Sequence, residues 1–558
     1  MPGTLLNGAQ NGVHERTTTS ATLVNDSPVE YESPTSSPTS SYFPKKNGVV
    51  VHEIEREDTL MNHLPSLDNS GIVPPEHLGR TLVLCFDGTG DQFDSDNSNI
   101  VEFFRLLKKD DRTKQMVYYQ AGIGTYTTPE IATPMMAKLS KALDEAIAWN
   151  LDAHVMGGYE FLMQNYSEGD RICLFGFSRG AYTARSLAGM IHKVGILPAC
   201  NHQQVPFAYK MFTKEDEEGW QQSNAFKKAF SIDADIEFVG VWDTVNSVGL
   251  IPKRLPFTTS NTIVRTFRHA VSLDERRSKF KANHWNRPQA HEENLGIECK
   301  HQHKPGEEHD HEHEHEHKPK KSKTLRALER KYGKDRSIHT DIDEVWFAGC
   351  HCDVGGGSVD NETKPNLARI PLRWMIRECF RANTGIMFHA DLLQEIGMDP
   401  NALYPEVKAR PPALPIVPGK HFIQHVPTKS ILARFSQSQR EIHLPNFSGS
   451  ASTLERAETE EELELADALS PVYDQLSLKW FWWILEFWPI KMRFQKSDNT
   501  WAHYLGWNLG QGRHIPKQKK RGVRVHRSVK MRLDARYPDG SRYIPKANLD
   551  EQHVTWVE

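Results

Sequence analysis

The stretch Asp170–Gly195, DRICLFGFSRGAYTARSLAGMIHKVG, decides how the chain is read. Its first half, Ile172 to Phe177, is a short apolar run of the kind that forms a buried parallel strand. Its second half places Ala181, Ala184, Ala188 and Ile191 at helical spacing, and Gly195 and Pro198 close that helix. Between them Gly176-Phe177-Ser178-Arg179-Gly180 is a G-x-S-x-G pattern at a strand-to-helix junction. A serine on so sharp a turn points its hydroxyl out of the sheet, and the glycines remove side chains that would strike strand and helix. The helix start behind Ser178 supplies amides and partial positive charge suited to a developing oxyanion. Ser178 is therefore the candidate nucleophile, against a plain tight turn.

Outward from this junction the same alternation repeats. TLVLCFDGTGDQF predicts a buried strand over Thr81–Phe86 that ends in the turn Asp87-Gly88-Thr89-Gly90, with order beginning at Arg80. NIVEFFRLLKK has helical spacing, MVYYQAGIG reads as a strand, and Met135 to Gln164 as one long helix or two consecutive ones. DIEFVGVWDTV gives a strand ending at Asp243, RTFRHAVSLDE another, and EVWFAGCHCDVGGG a strand followed by a glycine-rich turn, before an amphipathic helix at Arg369–Ala382. Short apolar strands alternating with helices predict an α/β fold, α/β-hydrolase-like, with a mainly parallel sheet and helices on both faces. In such sheets the working residues lie at the carboxyl ends of strands, where Asp87, Ser178, Asp243 and His351 all fall.

The flanks divide the 558 residues further. Residues 1–77, rich in Ser, Thr, Pro and Asn, bury too little apolar surface to offset the entropy of ordering and read as a disordered tail. Residues 78–395 form the catalytic domain, interrupted over about 286–340 by a His-rich insertion (HDHEHEHEH) without an apolar face. Residues 396–558 read as a C-terminal helical or cap region. Within it Thr459–Leu476 is an acidic helix interrupted by Pro, and WFWWILEFWPI, Trp480–Ile490, is too short to cross a bilayer. As a helix it puts Trp480, Trp483, Ile484, Phe487 and Trp488 on one face. Two readings are open: a cap helix buried against the core, or an aromatic surface that makes peripheral membrane contact or lines an acyl pocket.

The net charge of −4 gives no global argument for nucleic acid or an anionic membrane. No run of 18 apolar residues and no signal-peptide pattern occurs, and seven cysteines without framework spacing suggest reduced thiols. The expected location is cytoplasmic, peripheral to membranes if the aromatic surface is used.

An alcohol nucleophile at neutral pH needs a base, and the base needs an acid that fixes its tautomer. The chain supplies Ser178, Asp243 and His351 in the order that α/β-hydrolases use. Each residue has a rival role. Asp243 could cap its turn, and His526 in VRVHRSV competes with His351, which gains from Gly355–Gly357 beside it. Asp353 either positions that turn or contacts the imidazole. The oxyanion donors would be the amide of Arg179 with Gly88, Thr89 or Gly90, and Asp87 supports that turn. The DGT turn also resembles that of haloacid-dehalogenase-like phosphatases, whose nucleophilic aspartate would fall at Cys85, a mismatch that argues against that chemistry. Cys350 and Cys352 flank His351 without a second ligand pair, so no metal is expected there; the His-rich insertion could loosely hold Zn or Ni without a fixed geometry, and no cofactor is expected.

FDGTGDQF, YYQAGIGT, LFGFSRGAYTAR, GVWDTVNSVG and GCHCDVGGG, in this order over about Arg80 to Ala382, resemble a family common in fungi and bacteria. Its catalytic domain is similar to the class-one lipase effectors of the type VI secretion system. The resemblance implies an α/β-hydrolase fold with Ser178 as nucleophile, Asp243 as acid and His351 as base, and phospholipid ester hydrolysis as the activity. The expectation is a serine esterase or lipase acting on a lipid or other ester substrate, with no nucleic-acid partner. The rival from another class is a non-catalytic binding module on a hydrolase scaffold.

Overall fold

The structure is a computed structural model; it describes residues 71–77, 79–89, 91–122, 136–245, 255–285, 328–329, 339–426, 458–487, 489–495 and 501–558. Nearly all of the Ser/Thr/Pro-rich tail, most of the His-rich insertion, Gly90 and Trp488 lie outside the described residues.

Twelve strands occur among the described residues. In chain order they are β1 (Ile72–Val73), β2 (Thr81–Phe86), β3 (Gln115–Gln120), β4 (Arg171–Phe177), β5 (Ile236–Trp242), β6 (Val264–Ser272), β7 (Asp341–Phe347), β8 (Phe388–His389), β9 (Ile490–Gln495), β10 (Trp501–Gly506), β11 (Val523–His526) and β12 (Val554–Val557). Eight of them form one sheet in the order β12-β11-β7-β6-β5-β4-β2-β3, every neighbouring pair parallel. The chain runs from β2 outward to β3 and returns across to β4, so the order reverses between β2 and β4. At such a switch point the carboxyl ends open a crevice where ligands bind. Asp87 leaves β2 on one side of it, and Ser178 leaves β4 on the other.

Helices cover both faces, and the alternation of side chains along the strands assigns them. Leu82, Leu84 and Phe86 with Ile172 and Leu174 face one side. There they meet α2 (Met136–Asn165) through Val155 and Tyr159, and α3 (Ser178–Val194) through Ala181, Ala184 and Leu187. Val83, Cys85, Cys173, Phe175 and Trp242 face the other side, against Phe103 of α1 (Asn99–Leu106) and Met375 and Ile376 of the helix Arg369–Arg381. Each fully buried large apolar side chain contributes about 1.5–3 kcal/mol, so both faces hold the sheet and neither is free for solvent. The unbroken apolar strands in the sequence have this cause: all six residues of β2 are buried. Of the two readings for Met135 to Gln164, a single helix holds over the described part, α2 (Met136–Asn165).

Three expectations change. Order starts before Arg80, since Ile72–Val73 pairs with Phe388–His389. The region 396–558 is not only a helical cap: β11, from the β-like run VRVH, pairs with β7, and β12 extends the edge beyond it. Trp480–Ile490 is not one helix either. Among its described residues only Trp482–Glu486 is helical, Pro489 follows, and Ile490 opens a hairpin of β9 with β10. Proline lacks the N–H that would continue the helix.

Candidate active site

The turn from β4 into α3 is as tight as its glycines predict. A Cβ on Gly176 would lie 2.5 Å from the carbonyl oxygen of Gly180, and one on Gly180 would lie 2.3 Å from the carbonyl oxygens of both Phe86 and Asp87. Ser178 has φ of 57° and Asp243 has φ of 40°, left-handed conformations that cost non-glycine residues about 1–3 kcal/mol each. Both strained residues follow strand ends directly. His351 opens a short helix, His351–Gly355, four residues beyond β7.

These three side chains converge. His351 Nε2 is 2.7 Å from Ser178 Oγ, and His351 Nδ1 is 2.5 Å from Asp243 Oδ2. An ionised Asp243 only accepts, so Nδ1 carries the proton and Nε2 is left to accept from the serine hydroxyl. All three residues are buried. Burial alone would raise the Asp243 carboxyl, but the Arg513 charge and the hydrogen bonds from His351 and Arg513 outweigh it and hold it well below the usual carboxylate range. Burial pushes the His351 imidazole down and the Asp243 hydrogen bond pushes it up; the net direction is down, which keeps it neutral and able to accept a proton near pH 7.

The imidazole is packed between rings. Phe177 lies 4.7 Å and Phe280 4.9 Å away, centroid to centroid. A side chain on Gly355 would collide with the Phe177 ring at 1.9 Å, so this glycine of the predicted turn is what admits the ring. The backbone N–H of His351 donates to Glu275 Oε2 at 3.3 Å, and Glu275 is paired with Arg277 at 2.8 Å.

The remaining candidates have other work. Asp353 does not reach the imidazole: it accepts from the amides of Cys350 and Tyr473 and from the Ser358 hydroxyl, which makes it the fastener of the turn. Burial raises its carboxyl to about 6. Asp87 accepts from Ser98 Oγ at 2.6 Å, from Tyr119 OH at 2.8 Å and from the Gly88 amide at 2.8 Å. The Gly88 amide is thereby committed and drops out as an oxyanion donor, a correction whose cause is the neighbouring carboxylate. Thr89 remains, with a buried hydroxyl that has no hydrogen-bond partner among the described residues, and Arg179 follows Ser178 at the start of α3. Gly90 lies outside the described residues.

His526 sits elsewhere. Its Nδ1 accepts from the Ser528 amide, its ring stacks on Phe347, and its Nε2 is 3.7 Å from Glu464. Burial pushes it down to about 3. Burial also raises the thiols of Cys350 and Cys352, which keeps them protonated and poor metal ligands. Among the described residues one cluster has metal-type donors, His269, His284 and Glu344. His269 Nε2 accepts from the Thr244 amide at 3.1 Å, so its Nδ1 carries the proton shared with Glu344 at 2.9 Å and has no lone pair for a cation.

Sequence reasoning missed Arg513, Glu275, Arg277 and Phe280. The run DERR after β6 is a charged turn at a strand's carboxyl end and was a usable signal for two of them; Arg513 in GQGRHI has none.

Residues 80–378 match the family model described as the catalytic domain of the type VI secretion (T6SS) phospholipase effector, Tle1-like. An uncharacterized protein of Saccharomyces cerevisiae, YEL023C, is 28% identical over 563 residues, covering 83% of this chain and 80% of its own length. Among solved structures, an uncharacterized protein from Pseudomonas aeruginosa has 16% identity and a TM-score of 0.29, covering 55% of this chain and 46% of that one. The Tle1 effector bound to the VgrG spike of the type VI secretion system has 15% identity and a TM-score of 0.24, covering 50% and 51%. The chain thus spans about half the length of these two solved proteins. With more than half of its residues inside the matched segment, the chain belongs to the Tle1-like family of phospholipase-effector catalytic domains.

Proposed function

We propose that this protein is a serine hydrolase that cleaves carboxylic esters of lipids, phospholipids foremost, through an acyl-enzyme. The observation that carries the reading is the unbroken chain of hydrogen bonds from Ser178 Oγ through His351 to Asp243. In the proposed cycle Ser178 Oγ attacks the ester carbonyl carbon while His351 Nε2 takes the hydroxyl proton. Asp243 holds the resulting imidazolium without being protonated itself. The amide of Arg179 and the Thr89 turn steady the oxyanion. His351 then returns the proton to the leaving alkoxide, and a water repeats the sequence to release the acid and restore Ser178. The phospholipid preference rests on the family, whose members' description is that of phospholipase effectors.

The aromatic segment supports the same substrate class, and we place it against a lipid surface with anionic headgroups. Trp480 is 78%, Ile484 53% and Phe487 63% exposed, followed in sequence by exposed Leu505 and Trp507. The buried-cap reading does not fit such exposure. Between Gln475 and Gly522 the sequence carries nine Lys or Arg, of which Arg513 and Lys517 are buried, against two acidic residues, Glu486 and Asp498, of which Glu486 is buried. Aromatic side chains within a basic segment suit an interfacial site. Among the described residues no helix is long and apolar enough to cross a membrane, so contact would be peripheral. Trp482 packs on Phe280, which packs on His351, so this surface borders the reacting groups.

Ser178→Ala is expected to abolish covalent labelling by a fluorophosphonate probe and to lower ester turnover by ~10³-fold or more. Labelling of that variant at the parent rate would remove the nucleophile. A parent protein inert to every serine-directed probe would return the binding-module reading.

A further inference from the structure

Asp243 is held by more than the imidazole. Arg513 Nη1 donates to its Oδ1 at 2.5 Å and Nη2 to its Oδ2 at 2.8 Å, a two-pronged guanidinium–carboxylate pair. The Ser272 amide donates to Oδ1 at 2.8 Å and His351 Nδ1 to Oδ2 at 2.5 Å. A carboxylate has about four lone-pair directions, and here all four are used. Arg513 is itself buried and fixed: Nη1 also donates to the Ser272 carbonyl at 3.1 Å, and Nε and Nη2 donate to the Phe280 carbonyl at 3.1 and 2.5 Å. The guanidinium therefore ties the end of β6 and the turn that carries Phe280 to the Asp243 carboxylate.

We propose that Arg513 is a positioning residue of the reaction: its fork sets the plane of Asp243 so that one Oδ2 lone pair faces His351 Nδ1, and its charge offsets the negative charge that the imidazolium meets. The inference rests on the serine-hydrolase reading. It also makes the segment after the hairpin part of the working site, although Arg513 lies outside residues 80–378, which the family model matches. The physical logic is a compromise. A bare Asp243 beside His351 would stabilise the imidazolium so well that the imidazole would bind a proton before Ser178 needs it removed. With the guanidinium in place, the carboxylate keeps its orientation while its pull on the proton is moderated.

The charged and titratable groups around His351 are few. Asp243 faces Nδ1 and Ser178 faces Nε2; Glu275, paired with Arg277, meets its backbone amide, and Arg513 stands behind Asp243. On its own turn, Asp353 is committed to the Cys350 and Tyr473 amides and Ser358, and the buried thiols of Cys350 and Cys352 stay protonated. Removal of Arg513 leaves Asp243 as the dominant charge, so His351 gains proton affinity.

The test uses the full chain and a short soluble ester, with active sites counted by exhaustive fluorophosphonate labelling. Arg513→Gln is expected to lower kcat per labelled site ~10- to 100-fold with KM little changed. It is also expected to move the acid limb of the kcat/KM–pH profile to higher pH. Arg513→Lys keeps the charge and loses the fork, so its acid limb is expected to stay near the parent position while kcat per site falls ~10-fold. A purely structural role would reduce the number of labelled sites and leave the acid limb in place. Arg513→Gln with parent kcat per site and an unmoved limb would overturn the proposal. If Arg513→Gln yields no labelled sites, Arg513→Lys decides: parent kcat per site in that variant overturns it equally. If the parent protein is not labelled at all, the hydrolase reading falls first, and the two failures are told apart.

Discussion

Gly180 shows how much of this site is fixed by the absence of an atom. A methyl there would stand 2.3 Å from two backbone carbonyl oxygens, those of Phe86 and Asp87, and neither can rotate away as a side chain could. Gly157 in α2 is a useful contrast, because its added methyl would meet only the tips of the Tyr118 and Gln120 side chains, at 3.2 and 3.5 Å. Gly180→Ala is expected to lose about 3 kcal/mol or more of stability in urea unfolding, and Gly157→Ala less than about 1 kcal/mol. Equal unfolding midpoints for the two variants would mean that the junction between β4 and α3 yields more easily than its geometry implies. At this scale the sequence located the three side chains that converge, Ser178, Asp243 and His351, because each follows an apolar strand. Arg513 stands between Gly512 and His514 with no periodic neighbours, and only the folded chain brings it to Asp243.

Among the elements, β11 shows a strand whose hydrophobic signal is too short to read with assurance. Its four residues, VRVH, alternate once, yet they carry the sheet past β7 and place His526 as the cap of the following helix, Arg527–Asp534. The same run made His526 a rival base, because a histidine at a strand end looks alike whether it faces a nucleophile or a helix start. Its environment now gives it a different signature. Burial leads in holding it down to about 3, with the Arg410, Arg527 and Arg373 charges acting in the same sense and Glu464 opposing. The unfolded chain takes up a proton near pH 6.5 that folded His526 refuses until about 3. Its contribution to stability is therefore complete above pH 6.5 and is lost as the pH falls from there toward 3. His526→Gln removes this one proton from the balance, while His351 and His269, also lowered by burial, act equally in both proteins. Urea unfolding between pH 6 and 4 is expected to show a slope shallower by ~1.4 kcal/mol per pH unit in the variant. Parallel slopes would deny that His526 is neutral in the folded state. Hydrolysis of a short ester at pH 7 is expected to stay within a few fold of the parent in His526→Gln and to fall ~10³-fold in His351→Gln.

Across the whole molecule, the parallel sheet gathers Ser178, Asp243 and His351 at its carboxyl edge, and the C-terminal segment brings Arg513 and the aromatic turn to the same edge. Glu486 joins these parts: it is buried and accepts from the amides of Ser278 and Gly510 and from the Asn508 side chain. The aromatic turn is thereby fastened to the strip that ends in Phe280, beside the imidazole, rather than left as a loose flap. Composition alone made Trp480–Ile490 ambiguous, because tryptophan and phenylalanine serve a core and a membrane interface equally well. Exposure separates the two uses. Replacing Trp480, Ile484 and Phe487 together by serine removes three exposed apolar groups that the proposed membrane contact would place in the headgroup region. The triple variant is expected to bind vesicles of mixed zwitterionic and anionic phospholipid ~10-fold or more weakly in a flotation assay. Its hydrolysis of a short soluble ester should match the parent, because among the described residues the side-chain hydrogen-bond and ring partners of His351 are Ser178, Asp243, Phe177 and Phe280 and none of the three. Unchanged flotation would assign the exposed face to something other than lipid. Lost hydrolysis of the soluble ester would instead show that the aromatic turn holds Phe280, and through it the imidazole, in place.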